Sequence, residues 1–146
     1  MIIVRFAETF RERMPEWVQA VGMILWGILT LSTPGLFQAQ EFYHPLLLLF
    51  SQWNWGLIAT VIGFIRLVFL VINGSWRPSA HIRAIGCVFG SLLWGSLLIS
   101  ALSLSWLTSG LALYVMLLAL DLFSLWFSAG DAKLADLRAK DTKRVV

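Results

Sequence analysis

Four stretches of this chain, about 17–33, 45–72, 84–104 and 111–128, are apolar over lengths close to the roughly 20 residues that a helix needs to cross a hydrocarbon core. Composition agrees: of 146 residues, 59% are hydrophobic and 13% charged, where soluble domains average about 45–50% apolar and about a quarter charged. The expected fold is all-α. Residues 17–128 form an integral membrane four-helix bundle, residues 1–16 an amphipathic helix on the membrane surface, and residues 129–146 a charged helical tail in the cytoplasm.

Each boundary has a local cause. Acids at Glu8, Glu12 and Glu16 interrupt the basic N-terminal region, so the opening stretch reads as a retained interfacial helix with Ile2, Ile3, Phe6, Phe10 and Met14 on one face. The first span stops at Pro34 and Gly35. The second, 28 residues from Pro45 to Ile72, exceeds one crossing, and its first two turns are expected to project beyond the lipid or the helix to tilt. Ser105–Gly110 is short enough to join only antiparallel neighbours.

Positive charge sets the orientation. Counted from the N-terminus, the flanks and loops hold 3, 0, 2, 0 and 5 Lys or Arg, an alternation that places both termini in the cytoplasm after four crossings. Trp17, Trp76 and Trp126 then fall at the inner boundary and Trp53, Trp55 and Trp106 at the outer one. Because the basic residues are dispersed, they form no stripe to track a phosphate backbone, which argues against nucleic acid as a partner.

Two charges break the apolar pattern. Arg66 stands seven residues before Asn73 and Asp121 seven before Ser128, which puts both roughly 10 Å inside the cytoplasmic boundary. Both side chains lean toward their helix N-termini and so deeper into the membrane. A charge at the bilayer centre costs about 2.5–3.5 kcal/mol on the gentlest insertion scale, so an Arg66–Asp121 ion pair is expected. A proton or ion relay would need further titratable groups, which the first and third spans lack on this reading.

The third span carries small residues at close spacing. Gly86 and Gly90 form a GxxxG, and Ser91 and Gly95 repeat its spacing, so this helix is expected to present a packing or oligomer face, with Ala59 and Gly63 of the second span as one intramolecular partner. Trp76, Arg77, His81 and Arg83 form a basic loop expected to meet anionic lipid headgroups. Cys87 reads as a packed, inert thiol. Glu41 and His44 fall short of the three or four ligands of a zinc site, and no nucleophile–base pair or phosphate loop appears, so neither a catalytic residue nor a cofactor or metal is expected.

From Arg66 to the tail, "INGSWRPSAHIRAIG" and "SGLALYVMLLALDLFSLWFSAGDAKLADLRAK" resemble small polytopic membrane proteins of tailed phages and prophages of Gram-negative bacteria. The resemblance implies a bacterial inner-membrane location. The outline is also similar to holins, which oligomerise and open the membrane, although this chain departs from their usual pattern in having four spans. Three functions follow as expectations: a self-assembling, holin-like homo-oligomer; a non-lytic accessory protein, such as a superinfection-exclusion factor or a subunit docking on a host membrane complex; and a small channel or transporter resting on Arg66 and Asp121.

Overall fold

The computed structural model describes residue 10 and residues 13–75, 80–104 and 109–144. All regular structure among them is helical: α1 (Met14–Ser32), α2 (Leu36–Ala39), a 3-10 turn (Glu41–Tyr43), α3 (His44–Leu47), α4 (Gln52–Ser75), α5 (Ala80–Leu104) and α6 (Ser109–Arg144). Four of these, α1, α4, α5 and α6, are long and apolar enough to cross a membrane. Helix α1 starts three residues earlier than the sequence suggests, with Pro15 in its first turn, where a missing N–H costs nothing. Residues 1–9, 11 and 12 of the expected interfacial helix lie outside the described residues.

The helices pack chiefly as two pairs, α1 on α4 and α5 on α6. Small residues bring the first pair into backbone contact. A Cβ on Gly27 would stand 2.7 Å from both the Gly56 carbonyl oxygen and the Thr60 nitrogen, and one on Gly63 would stand 2.9 Å from the Ala20 carbonyl oxygen. Gly63 therefore meets α1, not the third span, against Ala20 and Ile24, while Gly27 of α1 receives Gly56 and Thr60 in the same groove. Three hydroxyls within the spans are satisfied locally: Thr30, Thr60 and Ser96 donate to carbonyls four residues back.

The second span is shorter than the sequence suggests. Its apolar run breaks at residues 48–51, and α4 begins only at Gln52. Ser51 caps it, its Oγ accepting from the Asn54 N–H at 3.4 Å. The Gln52 side chain then stitches the fold together: Nε2 donates to the Thr30 and Thr33 carbonyls, each at 2.7 Å, and Oε1 accepts from the Phe37 N–H at 3.1 Å. Gln52 thus supplies partners to the C-terminal carbonyls of α1 that the helix itself cannot.

Residues 34–51 consequently fold back over one end of the helices, here termed the loop end. Phe37 and Leu46 are buried with Met23, Trp55, Trp94 and Leu97 in the apolar core, Phe37 stacks on Tyr43 at 4.4 Å, and Ser100 Oγ donates to the Phe42 carbonyl. Trp55 belongs to this core, its Nε1–H donating to the Leu46 carbonyl at 2.9 Å. Trp53 is exposed, while Trp76 and Trp106 fall outside the described residues.

The backbone contact between α1 and α4 predicts opposite effects of one substitution. Gly27→Ala should lower the melting temperature in detergent by an amount equivalent to about 1–3 kcal/mol of overpacking. Gly130→Ala, where a Cβ meets nothing within 4 Å, should leave it unchanged or raise it by up to about 1 kcal/mol through helix propensity.

Candidate functional site: a ladder of buried ion pairs

Arg66 on α4 and Asp121 on α6 lie side by side in the interior, their side chains 5% and 0% exposed. The pair is bidentate, Nη2 to Oδ1 at 2.6 Å and Nη1 to Oδ2 at 3.2 Å, the geometry in which a guanidinium and a carboxylate match best. Nη1 also approaches Met23 Sδ on α1 at 3.3 Å, and Nη2 approaches Cys87 Sγ on α5 at 3.7 Å. One side chain therefore touches all four long helices. Cys87 is buried against it.

Helix α6 packs chiefly against α5, so Arg66 must cross the face of α5 to reach Asp121. Gly86 and Gly90 make the crossing possible. A Cβ on Gly86 would stand 2.8 Å from Arg66 Cγ, and one on Gly90 would overlap both Asp121 Oδ2 and Arg66 Nη1. The GxxxG of the third span thus admits a side-chain ion pair where a neighbouring backbone was expected. Its physical role is the same, the removal of side-chain bulk, but the visitor is different. Gly95, further along, is only loosely covered, with Leu118 Cδ1 3.9 Å from a Cβ placed there, and Ser91 is partly buried.

A second cluster lies nearer the end where α1 begins and α6 emerges, the charged end. Arg83 on α5 donates from Nε to Glu16 Oε2 at 2.9 Å, from Nη2 to Glu16 Oε1, and from Nη1 to Asp131 Oδ2 at 3.1 Å. Arg83 and Glu16 are buried, whereas the Asp131 side chain is 54% exposed. Expected to face lipid headgroups, Arg83 instead turns inward, because two carboxylates from α1 and α6 meet it there. His81 is exposed in the first turn of α5, and Trp76 and Arg77 lie outside the described residues.

The two clusters stack. From Arg83 to Gly90 is seven residues of α5, or roughly 10 Å. Gln19, wholly buried on α1, donates from Nε2 to the Leu117 carbonyl of α6 at 2.6 Å, one turn before Asp121. Ser124 and Ser128 are buried on the α6 face between Asp121 and Asp131. The first and third spans therefore do contribute titratable groups, Glu16 and Arg83, contrary to the sequence reading. Depth alone carried a signal for them: Glu16, Arg83 and Asp131 all stand within a turn of the same boundary.

Two recesses approach the ladder at the charged end. One of about 180 Å³ lies between α4 and α5, its mouth lined by Ile65, Ile82, Ile85 and Phe89 and its floor by Arg66, Arg83 and Glu16. Another of about 210 Å³ lies between α1 and α6 and reaches Glu16, Arg83 and Asp131. Beyond Arg66 and Asp121, toward the loop end, the space is filled by the apolar core of Met23, Trp94, Leu97 and Trp55. The ladder thus occupies one half of the helix length, where it can lock helices in register.

The glycine that admits the pair should be among the least replaceable residues. Gly90→Ala, a single added methyl, should destabilise the protein by about 3 kcal/mol or more by forcing two buried charges apart, whereas Gly95→Ala should be close to neutral. Melting of the two variants in one detergent checks this.

Comparison of the chain with known protein families, curated proteins and solved structures finds no match, so a functional reading rests on the arrangement of its own residues.

Proposed function

We propose that this chain is a non-enzymatic accessory protein of the bacterial inner membrane, a four-helix membrane bundle with both termini cytoplasmic that docks on another membrane protein and leaves the bilayer sealed. The charged end is then the cytoplasmic one, in keeping with the distribution of Lys and Arg. The phage setting comes from the resemblance of the second half of the chain.

The observation that carries this reading is the one-sided ladder. Arg66 and Arg83 are each neutralised by carboxylates of the same chain, and the polar column ends beneath a core of large apolar side chains. An ion relay across the membrane would have to traverse that core unaided, at the cost of several kcal/mol for each uncompensated charge. The holin-like alternative placed its oligomer seam on Gly86, Gly90, Ser91 and Gly95, and at the first two of these the space is taken by Arg66 and Asp121. What remains for association is the outward surface.

Induced expression in a bacterial host, with a phage lytic enzyme present in the cytoplasm, tests the proposal. Membrane potential and cell density should stay at control values while the protein accumulates in the membrane fraction. An abrupt collapse of potential followed by lysis would overturn the accessory reading in favour of the holin-like one.

A further inference from the structure

Helix α6 is the least covered of the four. Of its membrane-crossing stretch 11% is buried within the chain, against 33–44% for the other three. It also runs on without a break for 36 residues, about 54 Å, well past the roughly 30 Å of a hydrocarbon core. Its bundle-facing side is the row Asp121, Ser124, Ser128 and Ala132.

Beside that row runs another. Leu120, Phe123, Phe127, Gly130, Leu134 and Leu137 recur at alternating steps of three and four, the 3.5-residue period of a helix seam. Phe123, Phe127, Leu134 and Leu137 are 49–59% exposed, and Gly130 has open space above it. Within the lipid an apolar face needs no partner. Leu134 and Leu137 differ, because they continue the seam among Lys133, Asp136, Arg138 and Lys140, where the chain is no longer apolar.

The flanks indicate what covers it. With Leu134 and Leu137 at the seam positions, Lys133 and Lys140 flank it on one side and Arg138 on the other; Asp131, on the Arg138 side, is held by Arg83. Two copies aligned in parallel would oppose Lys133 to Arg138, and antiparallel copies would oppose like residues, so self-pairing along this segment is repelled. We infer that the α6 seam from Phe127 to Leu137 docks one helix of a partner membrane protein, a helix that leaves the bilayer on the same side with an apolar seam flanked by Asp or Glu. The inference rests on the accessory reading and gives the partner its chemistry.

The test uses the full-length chain in phosphatidylcholine vesicles with two synthetic probe helices. Each has a Leu/Ala span and a polar extension with Leu at the seam, flanked by Glu in one probe and Lys in the other. Energy transfer between labelled chain and probe should report binding of the Glu-flanked probe about ten-fold tighter, the sum of a few exposed charge pairs. Replacing Lys133, Arg138 and Lys140 with Glu should reverse the preference. Leu134→Ser with Leu137→Ser should weaken the Glu-flanked probe while leaving the melting temperature unchanged, which separates lost docking from lost folding. Equal binding of both probes, binding of neither, or self-transfer that the probes cannot compete would overturn the inference. So would vesicles with phosphatidylglycerol shielding Leu134 and Leu137 as well as the Glu-flanked probe does, since the basic stretch would then be meeting lipid. A sealed membrane on expression together with any of these results would sink the docking seam and spare the accessory reading.

Discussion

A guanidinium far from water is the constraint around which this chain is arranged. It cannot be left unpaired in an apolar interior without a cost of several kcal/mol, and Arg66 stands on α4 while its carboxylate stands on α6. Everything between them must give way. Gly86 and Gly90 strip α5 of side chains along the route, Met23 and Cys87 supply soft sulfur contacts at the guanidinium, and Gln19 ties α1 to α6 one turn away. A buried ion pair is weak evidence for net stability, because well-packed apolar residues often do as well. What it does supply is register, since the bidentate geometry is satisfied at one relative height of α4 and α6 only.

The second cluster extends the same logic to the charged end. Glu16, Arg83 and Asp131 join α1, α5 and α6 where each enters or leaves the apolar stretch. With Arg66, every long helix contributes to one cluster or the other. The loop end is held by different means: Gln52 on the carbonyls of α1, Trp55 on Leu46, Ser100 on Phe42, and aromatic packing of residues 37–43. Charge therefore organises one half of the fold, and side-chain hydrogen bonds with aromatic packing the other.

Much of this is legible in the residues alone. Four apolar stretches imply four helices, and the shared depth of Arg66 and Asp121 follows from counting residues to the end of each span. Glu16, Arg83 and Asp131 are harder to read, because charge at the end of a span is ordinary and topology already explains it. Gly86 and Gly90 announce a close approach without saying of what; only the path of Arg66 decides. The break at residues 48–51 is hidden, since Leu47, Leu48 and Leu49 are as apolar in a folded-back segment as in a helix, and the bonds of Gln52 that fix it reach across 15–22 residues. The burial of Trp55 is hidden for the same reason, its Nε1–H partner lying on the segment that folds back.

The most direct test is a charge exchange within the first cluster, read by thermal melting in a lipid-like detergent. Arg66→Asp and Asp121→Arg should each destabilise the protein by about 3–5 kcal/mol, by burying like charges together, and combining them should recover a large part of that loss. If the two effects simply add, or if either single exchange is harmless, then Arg66 and Asp121 do not depend on one another and the arrangement described around them is wrong.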